Sequence, residues 1–184
     1  QGIAQSIRRK NTMALCFLDL DGFKQVNDQF GHDTGDKILI ESTQRIYMCL
    51  RKVDTLSRIG GDEFIILLLD LNAEDEFIIS IERILDALQQ PFLIDDNSIS
   101  ISASIGVTLF PQNDNDSDML LRHADQAMYT AKQKGKNQYH LFDSELNLQA
   151  LKQEQLISHI KAAFNNNEFV LHYQPKVNLS SGEV

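Results

Sequence analysis

Residues 57–69 read SRIGGDEFIILLL, two short apolar runs around Gly60-Gly61-Asp62-Glu63. The pattern predicts a β-hairpin whose tip carries two adjacent carboxylates, because a glycine pair supplies the positive φ angles of a tight antiparallel turn. Ile65, Ile66, Leu67, Leu68 and Leu69 run without alternation, as in a strand buried on both faces. Such a strand would hold Asp62 and Glu63 at the lip of a core, where glycine leaves room for a bulky ligand to approach the backbone. An ordinary polar turn has the same local composition, so the rest of the chain must separate the two readings.

Working outward, Met13–Asp19 (MALCFLD) reads as a buried strand. Lys24–Phe30 predicts a short helix closed by Gly31, and Asp33–Lys52 a longer one with Ile38, Leu39, Ser42, Ile46 and Leu50 at helical spacing. The hairpin strands are Asp54–Ile59 and Glu63–Asp70. Glu74–Gln90 has Phe77, Ile81, Ile84, Leu85 and Leu88 on one helical face and is stopped by Pro91. Ser98–Phe110 alternates strictly through Ile99, Ile101, Ala103, Ile105 and Val107, a strand signal. Ser117–Lys134 predicts a helix capped by Ser117 and ended by Gly135, and Tyr139–Phe142 a closing strand. This order implies an α+β fold, ferredoxin-like or palm-like, with one antiparallel central sheet flanked by helices. A boundary is expected near Asp143, giving domains 1–143 and 144–184. Ser144–Asn165 reads as a polar-rich helix, and Glu168–Val177 as the first strand of a truncated second domain.

The chain's 184 residues suit one good-sized domain, or one domain plus a fragment. At 42% hydrophobic and 23% charged it reads as a soluble globular chain. A net charge of −9 argues against a nucleic-acid or anionic-membrane partner, yet permits a polyphosphate ligand neutralised by metal ions. Cys16 and Cys49 lack metal-ligand spacing and read as buried thiols in a reducing compartment. No apolar run reaches the roughly 18 residues that span a membrane. Gln1 is not a natural start, so upstream segments are expected.

Asp19-Leu20-Asp21 lies where the first strand ends, and a two-residue period sends both acids to one face. Beside the hairpin they would face Asp62 and Glu63. Carboxylates converging without lysine partners need a cation, and hard oxygen ligands suit Mg²⁺; a solvated acidic rim is the competing reading. No GxxxxGK[ST] occurs, so no P-loop cradles phosphate. The backbone N–H groups of Gly22, Phe23 and Lys24, where the next helix starts, can do so instead.

FLDLDGFKQVNDQFGHDTGD (17–36), RIGGDEF (58–64), SIGVTLF (104–110) and ADQAMYTAKQKGKN (124–137) follow one another in the order and spacing of a known family. Residues 13–143 resemble a GGDEF domain, the diguanylate cyclase family, although that family's opening D-x-L-T-x-L-x-N-R segment is not present. LHYQPKVNLSSGE (171–183) resembles the start of an EAL phosphodiesterase domain.

The resemblance implies condensation of two GTP into cyclic di-GMP with loss of two pyrophosphates, across an antiparallel homodimer with one GTP per domain. It implies two Mg²⁺ or Mn²⁺ ions per half-site, held by Asp19, the Leu20 carbonyl and Asp62. Glu63 would assist at the metal or help deprotonate the attacking 3′-hydroxyl. Asn27 and Asp36 would read guanine, a carboxylate accepting from N1–H and the N2 amine. Near a helix start, Asp36 also has a sufficient role without any ligand. Gly60 and Gly61 would admit the substrate, and Lys132 and Lys136, four residues apart on the last helix, would neutralise the triphosphate. Many family members have Arg where Lys136 stands, which predicts a weaker phosphate grip. Arg51-Lys52-Val53-Asp54 matches the family's R-x-x-D inhibitory motif, with Arg83 as a further contact to product. Without the family, Arg51 is a cation at a helix C-terminus. Three readings follow: an active cyclase; a silent GTP or cyclic di-GMP sensor regulating an attached EAL phosphodiesterase; or an interaction module. The expected setting is a bacterial cytoplasm, with any membrane attachment through upstream segments.

Overall fold

The computed structural model describes residues 2–73, 75–113, 116–143, 157, 159–166 and 168–169. Packing divides the chain into two units, Gln1–Asp143 and Ser144–Val184. In the second, residues 159–165 are helical. The strand expected over Glu168–Val177, and most of the helix expected from Ser144, lie outside the described residues.

The first unit runs α1 (Gly2–Arg9), β1 (Thr12–Asp21), α2 (Phe23–Phe30), α3 (His32–Cys49), β2 (Thr55–Gly60) and β3 (Glu63–Leu71). It continues through α4 (Glu76–Gln89), β4 (Phe92–Ile94), β5 (Asn97–Ile99), β6 (Ser102–Phe110), α5 (Ser117–Gln133) and β7 (Gln138–Leu141). Five strands form one sheet in the order β2-β3-β1-β6-β7. The sheet is mixed rather than wholly antiparallel, because β7 pairs parallel to β6. That geometry follows from α5, which acts as a crossover returning the chain to the end from which β6 started.

Alternation along β1 sorts the core into two layers. Ala14, Cys16, Leu18 and Leu20 face a large cluster that includes Ile38 and Ile46 of α3 and Ile81, Ile84 and Leu88 of α4. Met13, Leu15 and Phe17 face Leu120, Ala124 and Met128 of α5. The β6 residues on this second side are Ser104, Gly106 and Thr108, small enough for α5 to settle close. A Cβ at Gly106 would lie 1.9 Å from the Ala124 carbonyl oxygen. Gly106 therefore sets the height of α5 above the sheet. The next odd residues of β1 are Asp19 and Asp21, placed where α5 comes to its end.

Three local expectations are corrected. The alternating run Ser98–Phe110 is two strands, since β5 pairs with β4 in a separate hairpin and β6 begins only at Ser102. Periodicity persists across that break because Ile99, Ile101, Ala103, Ile105 and Val107 are all buried in the same core cluster. β3 is buried less completely on one face than on the other: Phe64, Ile66 and Leu68 are buried, whereas on the second side Leu69 is buried and Ile65 and Leu67 are half-covered. The N-cap of α5 is Asp116, with Ser117 already inside the helix.

Candidate functional site

The hairpin turn closes with Gly60 paired to Glu63, leaving Gly61-Asp62 as its central residues. Gly61 alone has a positive φ, 54°, so one glycine rather than two supplies the left-handed turn position. The register slips between Arg58 and Gly60, a bulge beside the turn. Arg58 Nε donates to the Gly61 carbonyl at 2.8 Å, tying the turn down. The Leu20 N–H in turn donates to the Asp62 carbonyl at 3.3 Å, so the end of β1 and the turn are joined.

Beside this junction lies an open cleft of about 470 Å³. Asp19, Leu20, Gly22, Phe23, Lys24, Asp62, Lys132 and Lys136, all expected from the sequence, line it, together with Asp21, Gln25 and Asp28. Gly22 is the N-cap of α2, and the first intrahelical bond closes from the Val26 N–H to the Gly22 carbonyl. The backbone N–H groups of the first turn are thus left for a ligand, at the positive end of the helix dipole.

Lys132 Nζ pairs with Asp19 Oδ1 at 2.8 Å, the reverse of carboxylates without lysine partners. Burial pushes the Asp19 carboxyl up, Lys132 pulls it back, and the charges of Asp62 and Asp21 push it up again. Asp21 is tied to Ser102, Ser104 and the backbone of Asn137. Among the described residues no three His, Cys, Asp or Glu side chains stand close enough to hold a metal ion. Asp19, Asp21 and Asp62 share the cleft without converging on one point, and Asp21 is turned to protein donors. Hard oxygen donors in which one buried carboxylate already takes a cation fit a divalent ion whose other ligands are water and phosphate oxygens. Glu63 is the cross-strand partner of Asp19 but does not line the cleft.

Lys136 reaches the cleft differently from the expected helix face. The helix ends at Gln133 in a Schellman cap, with the Lys136 N–H bonded to the Ala131 carbonyl and the Gly135 N–H to the Lys132 carbonyl. Lys136 follows in a left-handed turn at φ 64°.

Asn27 lies where α2 packs on α3, and its buried Oδ1 has no hydrogen-bond partner. A Cβ at Gly35 would come within 1.9 Å of that oxygen, so the glycine makes room for it. Asp36 is exposed on α3 and lines a second hollow of about 320 Å³ with Leu39, Ile40, Thr43 and Arg58. Arg58 was missed by sequence reasoning, although it stands immediately before the turn. Space around Gly60 and Gly61 is open, with nothing within 4 Å of a Cβ at either.

Arg51, Asp54 and Arg83 gather near the C-terminal end of α3 but are engaged with the protein. Asp54 accepts from the Arg51 N–H at 2.8 Å and the Leu69 N–H at 3.1 Å. Arg51 pairs with Glu76 at 2.8 Å. It lies beyond the last residue of α3, in a turn closed by the Asp54 N–H on the Arg51 carbonyl, so it is not a terminal helix cation. Arg83 donates to the Cys49 carbonyl. Cys16 and Cys49 are free and buried. No described helix is long and apolar enough to cross a membrane.

The sequence model of a family described as "Diguanylate cyclase, GGDEF domain" matches residues 1–138. MucR of Pseudomonas aeruginosa, a bifunctional diguanylate cyclase/cyclic di-GMP phosphodiesterase, is 42% identical over 99% of this chain and 26% of its own length. PdeR of Escherichia coli, a cyclic di-GMP phosphodiesterase, is 38% identical over 91% of this chain and 25% of its own. The chain thus spans about a quarter of these relatives. Among solved structures, the GGDEF domain of TpbB from P. aeruginosa superposes with a TM-score of 0.79 at 32% identity, covering 82% of this chain and 88% of that one.

Proposed function

Because this chain belongs to the GGDEF family of diguanylate cyclases, we propose that residues 1–143 condense two GTP into cyclic di-GMP. Each copy of an antiparallel homodimer would present one GTP. The 3′-hydroxyl of each nucleotide attacks the α-phosphorus of the other. A P–O bond forms, the α–β phosphoanhydride breaks, pyrophosphate leaves, and the hydroxyl proton passes to solvent or to Glu63. The observation that supports this most is the single cleft lined by Asp19, Leu20, Asp62, the start of α2, Lys132 and Lys136.

Asp19, the Leu20 carbonyl and Asp62 would hold two Mg²⁺ or Mn²⁺ ions, with Glu63 beside them. When bound, the ions supply charge neutralisation for in-line displacement at phosphorus. Gly22, Phe23 and Lys24 bind phosphate oxygens through backbone N–H groups and one ammonium. Lys132 exchanges Asp19 for the triphosphate, and Lys136 neutralises it from the turn. Asp36 would accept from the guanine N1–H and N2 amine, and the Asn27 amide, whose Oδ1 has no partner in the protein, would complement the remaining edge. Gly60 and Gly61 leave the approach open for the second nucleotide.

Product inhibits by binding Arg51, Asp54 and Arg83. Arg51 then trades Glu76 for a guanine edge, which makes the site a competitor of an existing ion pair. By the resemblance of its sequence, the segment 144–184 would lead into an EAL domain, most of it lying outside the described residues, and the protein would work in the bacterial cytoplasm. A second reading is a silent GTP or cyclic di-GMP sensor for that EAL domain. It is favoured by a relative named only for phosphodiesterase activity.

The test is GTP turnover with Mg²⁺ and then Mn²⁺, products separated by chromatography, with Asp62→Ala alongside. Cyclic di-GMP from the parent and none from the variant supports the cyclase. GTP binding by calorimetry without product at high protein concentration supports the sensor.

A further inference from the structure

Asp19 and Asp21 are the two buried carboxylates among the described residues. Asp19 has a role in the proposal above; Asp21 has none. Yet Asp21 carries the denser set of bonds. Ser104 Oγ donates to Oδ1 at 2.8 Å, while Ser102 Oγ at 2.8 Å and the Asn137 N–H at 3.2 Å both donate to Oδ2. These three donors come from the start of β6 and from the turn that follows α5.

That turn needs holding. Lys136 and Asn137 are successive non-glycine residues at φ 64° and 47°, a left-handed conformation that L-residues keep only when their surroundings enforce it. The Schellman cap fixes the turn from the helix side, through Lys136 N–H. Asp21 fixes it from the sheet side, through Asn137 N–H. Lys136 lies between the two anchors and lines the cleft. A carboxylate suits this place better than an amide, because three donors converge on two acceptor oxygens and bonds to a charged acceptor are stronger.

We infer that Asp21 is a positioning residue for the phosphate end of the site: it holds the Lys136-Asn137 turn so that the Lys136 ammonium faces the cleft. The inference rests on the reading of the cleft as a GTP site. It differs from a metal-ligand role for Asp21, since what it uses is the bond from the Asn137 N–H to Oδ2.

The experiment is calorimetry on the full chain with Mg²⁺, using guanosine and a GTP analogue with a methylene between the α- and β-phosphorus, which cannot be turned over. Asp21→Asn, Lys136→Ala and their combination are compared with the parent, each checked for folding by thermal melting. The expected result is a loss of about tenfold in analogue affinity for Asp21→Asn, with guanosine affinity unchanged. In the Lys136→Ala background the same substitution should cost almost nothing more, because its target is gone. A loss that persists undiminished in that background overturns the assignment and points to an effect on the metal or the fold. If Asp21→Asn does not fold, Asp21→Glu takes its place, keeping the charge but moving the carboxylate off the Asn137 N–H. The analogue-specific loss is again expected, and its absence overturns the assignment. A parent that binds guanosine and not the analogue, or neither, overturns the GTP reading itself and this assignment with it.

Discussion

Burial pushes the Asp19 carboxyl above the ordinary carboxylate range; the Lys132 ammonium opposes this, and the charges of Asp62 and Asp21 reinforce it. A carboxyl whose folded-state pKa is raised favours the folded state most when protonated. Its contribution is present in full below the unfolded pKa and lost as pH rises through the folded one. At neutral pH the ionised Asp19 is therefore a cost to the fold. Asp19→Asn should melt higher than the parent at pH 7, and the gap should close below about pH 4, where both states of the parent are protonated. Thermal melts across pH 3–8 check this. Lys132 tolerates the loss of its partner because its side chain is 31% exposed. The same variant should lose turnover, which is the usual cost of a site built from a strained charge.

At the scale of elements, the proposed guanine selection would depend on how closely α2 and α3 approach. The two helices meet across a one-residue junction at Gly31, and Gly35 faces Asn27 from the first turns of α3. A Cβ there would collide with the far end of the Asn27 side chain, not with backbone, so the side chain gives way. Glycine to alanine inside a helix gains roughly 0.5–1 kcal/mol, which offsets much of that displacement. Gly35→Ala should leave the midpoint of urea unfolding nearly unchanged while lowering guanosine affinity about tenfold, roughly 1.4 kcal/mol. Calorimetry beside a urea curve separates the two effects. A similar division of labour operates at the far end of α3. There Arg45 donates to the carbonyls of Ala87, Gln90 and Pro91 and lies 3.8 Å over the Phe92 ring. This clamp fixes α4 against α3 near the Arg51 and Arg83 region.

For the whole molecule, the proposed chemistry needs two copies, because one cleft would supply metal ligands and phosphate contacts for one nucleotide. Specific activity should therefore rise with protein concentration and level off, rather than stay constant. At a net charge of −9 each, two copies repel at low ionic strength. Raising salt from about 10 mM to 150 mM, where the screening length falls from roughly 30 to 8 Å, should shift that concentration curve to lower protein. A turnover series over concentration at two ionic strengths checks both statements. Constant specific activity would contradict the two-copy mechanism.

The chain's own periodicities determined which residues form β1, α3, β3, α4 and α5, and the spacing of its motifs singled out most of the residues that line the cleft. These are short-range properties, since alternation and helical spacing report on neighbours within a few positions. Only the tertiary structure decided what those residues meet. Asp21 takes its donors from residues 81, 83 and 116 positions away. Lys132 takes Asp19 for a partner, and Arg51 takes Glu76. The break between β5 and β6 and the parallel pairing of β7 were equally hidden, because each conserves the local pattern while changing the neighbour. A linear pattern states which way a side chain faces; which charge lies opposite depends on how α5 and the sheet close upon each other.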